Sequence, residues 1–279
     1  MGCGTLSIRS QFIKRSFEMN LTNLFSANAL LVLFLTTLLW LISVRLKNVS
    51  IVDLFWGTGF VLISWLSLLY SDSAESRGIW LAVLCTLWGL RLSLYLTIRN
   101  HGKPEDYRYA AMRSRREKTF WFSSLFIVFW LQGGIMWIVS LPLQLGANSP
   151  SGMQWWNYAG VLIWFIGFVF EAVGDYQLSR FKRSNTGVMD QGLWRFTRHP
   201  NYFGNALIWW GMGIVAFEVS HWWILLSPAL MTFLLLKVSG VALLEKTLAA
   251  RSQDYRDYVE RTSAFFPLPP RTTVDAQRS

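Results

Sequence analysis

Between Gly192 and Gly204 the chain reads Gly-Leu-Trp-Arg-Phe-Thr-Arg-His-Pro-Asn-Tyr-Phe-Gly, set between two long apolar segments. Two arginines, a histidine and an asparagine at the mouth of a membrane bundle are expensive to hold unless something binds to them. Upstream, Glu171, Asp175 and Lys182 fall on one stripe at 100° per residue, and Gly160, Gly167 and Gly174 recur beside it. An acidic residue near the bilayer centre costs roughly 2.5–3.5 kcal/mol on insertion scales, so two on one face require partners. Two arrangements satisfy them. Either the carboxylates pair with arginines along a glycine packing seam, or they accept hydrogen bonds from the hydroxyls or amide of a ligand for which the glycines leave room.

Asp53 stands alone among Ile, Val, Leu and Phe at the start of another apolar segment. Desolvation favours the protonated form of such a group, which makes it a candidate proton donor. An ion pair with Arg91 of the next segment is the structural alternative. Basic residues interleave with tyrosines from Arg99 through Lys103 to Lys118, a pattern suited to clamping phosphates and stacking on bases. The tail from Glu245 to Arg261 forms an amphipathic helix with Tyr255 and Tyr258 on one face. It either lies on the headgroups or caps the mouth formed by residues 180–204. Gly211-Met-Gly213-Ile-Val-Ala216 fits a dinucleotide pattern, but it follows no strand and lies in an apolar helix, so it is a packing motif.

The elements that must position these groups are membrane helices. Of the 279 residues 53% are hydrophobic and 15% charged, with 16 Trp and 20 Phe, too apolar a balance for a soluble domain. With roughly 20 apolar residues per span, about seven segments qualify, at 26–44, 50–70, 79–98, 120–145, 155–178, 203–218 and 221–244. The expected fold is all-α, a polytopic membrane helical bundle. The net charge of +10 does not point to nucleic acid, because Lys and Arg collect in alternate loops and the tail. By the positive-inside rule those loops and the C-terminus are cytoplasmic and the N-terminus is outside. Residues 1–25 are read as an N-terminal extension, with Met19 an alternative start, residues 26–270 as a single membrane domain, and 271–279 as a disordered tail. Two distant cysteines and three scattered histidines leave no metal site at sequence spacing.

Taken together, Glu171-x-x-x-Asp175-x-x-Leu-x-x-Phe-Lys182, Gly192-Leu-Trp-Arg-x-x-Arg-His-Pro-Asn-Tyr-Phe-Gly204 and Ser239-Gly-Val-x-Leu-Leu-Glu245 resemble the steroid 5-alpha-reductase superfamily, most closely its bacterial membrane branch. The resemblance spans about Asn48 to Pro270, and the Arg-His-Pro-Asn-Tyr block is shared with delta-14 sterol reductases. It implies NADPH as cofactor and, as substrate, an activated carbon–carbon double bond in a lipid or steroid-like enone, in a bacterial inner membrane. It further implies that Glu171 and Asp175 contact the nicotinamide–ribose half and that Lys182 lies near the phosphates. Asn201 and Tyr202 would lie under the nicotinamide, with Arg198 and His199 beside them. Asn100-His-Gly-Lys103-Pro104 is similar to a cofactor-loop segment, Arg91 and Tyr95 match an Arg and a Tyr one turn earlier, and Glu245 and Tyr255 complete the cofactor set. Asn205 stands where the animal enzymes carry an acid, Asp53 where they carry the pair gripping the substrate ketone, and Trp88 where they have a tyrosine.

The expected chemistry is hydride transfer to the beta carbon while a buried acid, Asp53 first and Tyr95 second, polarises the carbonyl. The alternative is an S-adenosylmethionine-dependent methyltransferase of the isoprenylcysteine or phospholipid type. Those enzymes also carry Arg-His-Pro-x-Tyr but usually show adjacent glutamates where this chain has Glu245-Lys246. A non-catalytic lipid-binding or scaffold role is the third possibility.

Overall fold

A computed structural model describes residues 3–71, 76–238, 241, 245 and 253–271. The expected disordered tail falls almost wholly outside these residues, as do Lys246 and most of the segment joining the last span to the C-terminal helix. All regular structure among the described residues is helical: α1 (Cys3–Leu46), α2 (Ile51–Leu69), α3 (Ser76–Asn100), α4 (Tyr107–Arg115), α5 (Phe120–Val139), α6 (Leu141–Ala147), α7 (Trp155–Ser184), α8 (Pro200–Ala216), α9 (His221–Val238) and α10 (Gln253–Arg261). Six helices are long and apolar enough to cross a membrane, namely α1 from Leu21, α2, α3, α5, α7 and α9. The molecule is a polytopic helical membrane protein.

The expected span at 203–218 is the exception. It forms α8, whose 17 residues extend about 25 Å, short of a hydrocarbon core of roughly 30 Å. Pro200 opens it, where a missing N–H and a fixed φ suit the first helical turn.

The chain divides into two compact units, residues 1–153 and 154–279. In the first, α2 and α3 meet over Gly57 and Gly89, where a Cβ on either would run into the backbone of the other. Buried polar groups in this unit bond to one another: Asn28 donates to Ser67 Oγ (2.9 Å) and Gln144 Oε1 (3.3 Å), while its own Oδ1 has no hydrogen-bond partner among the described residues. Arg77, in a region otherwise poor in positive charge, is only 1% exposed and donates to Ser149 Oγ (2.7 Å) and the Gly152 carbonyl (3.1 Å).

The second unit is organised by α7 and α8. Along α7 the buried residues Asn157, Gly160, Trp164, Gly167, Glu171 and Gly174 recur every three or four positions, the period of one helix face. The opposite face leaves Leu162, Phe165, Ile166 and Val169 exposed, as a lipid-facing surface requires. The glycines of α7 meet those of α8. A Cβ on Gly160 would lie 2.8 Å from the Gly211 carbonyl oxygen, and one on Gly167 would lie 2.6 Å from that of Gly204. The glycines of α7 therefore serve the close approach of the neighbouring helix. Gly211 itself packs against Gly160 and Trp164.

Gly167→Ala should therefore force the two backbones apart, with a loss of about 1–3 kcal/mol typical of overpacking and a lower unfolding midpoint in detergent. Gly134→Ala, where an added Cβ meets nothing within 4 Å, should be neutral or raise the midpoint slightly. Equal midpoints for the two variants would contradict the seam.

Candidate functional site

The close approach of α7 and α8 brings two carboxylate–amide pairs into register. Asn205 Nδ2 donates to Glu171 Oε2 (3.2 Å), and one turn away Asn201 Nδ2 donates to Asp175 Oδ1 (3.2 Å). Glu171, Asp175 and Asn205 are 3%, 4% and 7% exposed. The partners expected for the carboxylates were arginines or a ligand. Asparagines from α8 donate to both carboxylates, because the glycine contacts bring the helices within reach of a short polar side chain. Asn205 Oδ1 is buried without a hydrogen-bond partner among the described residues. A buried acceptor left unpaired costs on the order of 1–3 kcal/mol, so this atom can accept from a donor brought to it.

The residues just before α8 are held differently. Trp194 Nε1 donates to the Gly174 carbonyl (3.1 Å) and Leu193 N to Gln177 Oε1 (3.0 Å), which tie the 192–195 turn to α7. On the other side Thr197 Oγ1 donates to the Phe265 carbonyl (2.9 Å), Leu268 N to the Phe196 carbonyl (3.0 Å), and Tyr258 Oη to the Trp194 carbonyl. Arg198 closes this clamp. Its guanidinium forms a salt bridge with Glu245 (2.7 Å) and donates to the carbonyls of Val259 (2.8 Å) and Thr262, which end α10. His199 Nε2 lies 3.3 Å from the same Glu245 oxygen, and its ring stacks on Tyr202 at 5.5 Å. Of the two placements expected for the C-terminal helix, its described part takes the second, docking on residues 194–199 through buried Tyr255 and Tyr258.

Electrostatics follow from this packing. Burial pushes the Glu245 carboxyl up, but hydrogen bonds from His199 and Arg198 and the Arg198 charge prevail and hold it below the usual carboxylate range. Burial, reinforced by the Glu245 charge, pushes the Tyr255 phenol up to about 12. Lys182 is exposed in the last turn of α7.

The remaining candidates lie in the first unit. Asp53 does not pair with Arg91. Its carboxylate accepts from Arg108 Nη2 (3.1 Å) and from the Tyr109 hydroxyl (2.7 Å), which in turn accepts from Gln132 Nε2 (3.0 Å). The expectation of an isolated carboxylate fails because α4 folds back onto the start of α2 and brings a guanidinium with it. Glu105 reinforces this: burial would raise it, but bonds from Arg113 and the Val49 N–H hold it below the ordinary range. Two arginines of the basic loop are thus engaged by acids of their own unit. Arg91 and Arg99 place guanidinium carbons 5.8 and 5.4 Å from the Tyr95 ring centroid, and Lys103 is exposed in the loop before α4.

Tyr109, Gln132, Trp194 and Thr197 were not singled out from the sequence. Trp194 and Thr197 sit inside the Gly192–Gly204 block, where their closeness to Arg198 was the available signal. Gln132, a lone polar residue in an apolar span, was the signal for the Asp53 network.

The fold and these clusters define a polytopic membrane protein with buried polar groups in both units, in which the buried acids Glu171 and Asp175 lie on α7 against α8. Residues 39–262 match a family model described as "Protein of unknown function (DUF1295)", and the chain belongs to that family. An uncharacterised protein of Schizosaccharomyces pombe is 29% identical over 286 residues, covering 88% of this chain and 80% of that protein. No solved structure matches the chain.

Because the folded Glu245 carboxyl titrates below its unfolded value of about 4.3, the clamp contributes fully above that pH and is lost as pH falls through the lower folded value. Glu245→Gln should lower the thermal midpoint at neutral pH and flatten its decline below about pH 4.3. Identical acid profiles for the two proteins would rule out this role for Glu245.

Proposed function

We propose that the chain is a membrane-embedded NADPH-dependent reductase of an activated carbon–carbon double bond in a lipid or steroid-like enone, acting in a bacterial inner membrane. The observation that carries this reading is the buried carboxylate–amide ladder of Glu171–Asn205 and Asp175–Asn201, with the unpartnered Asn205 Oδ1 at one rung. A nicotinamide carboxamide presents N–H donors and a ribose presents hydroxyl donors. A set of carboxylate and amide acceptors in an otherwise apolar helix pair fits such a group, and Asn205 Oδ1 supplies the acceptor a carboxamide N–H needs. The resemblance of Glu171, Asp175 and Asn201 to reductase-superfamily positions points the same way, while Asn205 stands where the animal enzymes carry an acid.

When bound, the dinucleotide supplies a hydride for the beta carbon, and a proton on the alpha carbon completes the saturated product. The chain's own contribution is to orient and to exclude water. Asp175 and Asn201 hold ribose hydroxyls, Glu171 and Asn205 fix the ring's amide, and Tyr202, stacked on His199, supplies an aromatic face. Lys182 stands near the phosphates in this reading, and Lys103 serves the cofactor loop. For the proton donor we take Tyr95 ahead of Asp53, on the chemistry of the first unit alone. Asp53 is ion-paired to Arg108 and suits a clamp, whereas Arg91 and Arg99 beside Tyr95 put positive charge where a developing oxyanion is stabilised.

The methyltransferase reading relies on Arg-His-Pro and a following glutamate to hold its cofactor. Here Arg198, His199 and Glu245 are bonded to one another and Arg198 to the end of α10; both readings set these residues at the cofactor, so the α7–α8 ladder carries the choice between them.

Equilibrium titration of the detergent-purified protein should show NADPH binding that Asp175→Ala and Asn201→Ala weaken about tenfold or more, with folded protein retained. Binding of S-adenosylmethionine instead would replace this reading, and binding of neither would leave a scaffold. With a co-purifying lipid identified by mass spectrometry as substrate, Tyr95→Phe should slow NADPH oxidation about a hundredfold while sparing cofactor affinity. Full activity in that variant would remove Tyr95 as donor.

A further inference from the structure

Beyond the helix ladder, the second unit holds a cleft of about 570 Å³ between the turn before α8 and the segment after α10, lined in part by Asp190, Arg195, Arg261, Thr262 and Arg271. Among the described residues three guanidinium groups and one carboxylate border it. Asp190 is bonded to Arg261 at 2.8 Å, and neither Arg195 nor Arg271 has an acidic partner among the described residues. Arginines converging with a net positive charge repel one another, and a bound anion relieves that repulsion.

The walls are fixed by backbone geometry rather than by chance proximity. Arg271 N donates to the Arg261 carbonyl (2.9 Å), Leu268 N to the Phe196 carbonyl next to Arg195 (3.0 Å), and Arg198 pins the residues on either side of Arg261. The contacts that dock the C-terminal helix therefore also set the spacing of the three arginines.

The position of the cleft speaks for a particular level in the membrane. α7 has 30 residues, about 45 Å, well beyond a hydrocarbon core of roughly 30 Å. Its last turns carry exposed Arg180, Lys182 and Arg183. The cleft follows that end in the chain, where the headgroup layer begins.

We propose that this cleft is a phosphate-binding site, taking the phosphate of an anionic phospholipid headgroup or of a free small molecule. Guanidinium groups bind phosphate oxygens through paired, charge-assisted hydrogen bonds, and the cleft is larger than one phosphate, with room for the group that carries it. The site is separate from the Glu171–Asn205 ladder and does not rest on the reductase reading.

The test uses the full chain in neutral detergent, comparing the protein with the Arg195→Gln/Arg271→Gln double variant. Phosphatidylglycerol, phosphatidylcholine and inorganic pyrophosphate serve as probes in native mass spectrometry and equilibrium titration. The expected result is phosphatidylglycerol binding weakened about tenfold or more in the variant, with phosphatidylcholine unaffected. Loss of pyrophosphate binding alone, with phosphatidylglycerol unchanged, supports the site and assigns it to a free phosphate. Unchanged affinity for both anions overturns the proposal. Arg180→Gln, which removes an exposed arginine outside the cleft, should leave both affinities intact; an equal loss there would mean diffuse attraction and would likewise overturn it. Arg195→Gln alone gives the same readings if the double variant does not fold.

Discussion

The second unit depends on the near-contact of two helix backbones. Glycines at seven-residue intervals on α7 meet glycines at the same interval on α8, and a single added methyl group would collide with backbone atoms. In a bilayer no hydrophobic force drives such an approach, so close packing and interhelical hydrogen bonds must supply it. Both are present together. The seam brings the helices near enough for short Asn side chains to reach Glu171 and Asp175, and those bonds favour keeping them there. Polar groups that would oppose insertion individually become the partners that fix the register.

The same dependence runs outward from the start of α8. Pro200 cannot continue a helix backwards, so the chain turns at His199. The turn presents Trp194 to α7 and Arg198 to the C-terminal helix. Every polar side chain from Thr197 to Asn201 is bonded, and nearly every bond crosses to another element. The C-terminal helix carries little apolar surface beyond Tyr255 and Tyr258, so its place is set mainly by these hydrogen bonds.

The helices were legible because hydropathy over roughly 20 residues is a signal that tertiary context rarely overrides in a membrane. The weak case was α8, apolar but the shortest of the seven expected segments. The Glu171–Asp175 stripe was legible as one face, since the helical period fixes it. What that face meets was not, because Gly204 and Gly211 acquire meaning only once the helices are known to be antiparallel and adjacent. Asp53 failed for a related reason. The sequence places it among apolar neighbours along the chain, and nothing local announces that α4 returns with Arg108 and Tyr109. Arg77 is a further instance: one basic residue in a basic-poor loop is invisible to a charge rule, yet it is wholly buried and bonded.

The Gly192–Gly204 block then divides by function along its length, and the division bears on the two enzymatic readings. Arg198 and His199 point their polar atoms to Glu245 and the end of α10, while Asn201 and Asn205, one turn apart on α8, point theirs to α7. The Arg-His-Pro portion is what reductases and methyltransferases have in common, and in this chain it does structural work. The asparagines belong to the part that differs between them. A sequence match centred on Arg-His-Pro therefore weighs most heavily the residues that discriminate least. The discriminating chemistry lies in what faces α8 across the glycine seam, where two carboxylates and an unpaired amide oxygen make an acceptor-rich surface. Ribose hydroxyls and a carboxamide can satisfy such a surface; S-adenosylmethionine also carries ribose hydroxyls, so the carboxamide is the group that tells the two cofactors apart. On the proposed reading, the acceptors of Glu171, Asp175 and Asn205 select the cofactor, and the turn beside them acts by holding α8 in place.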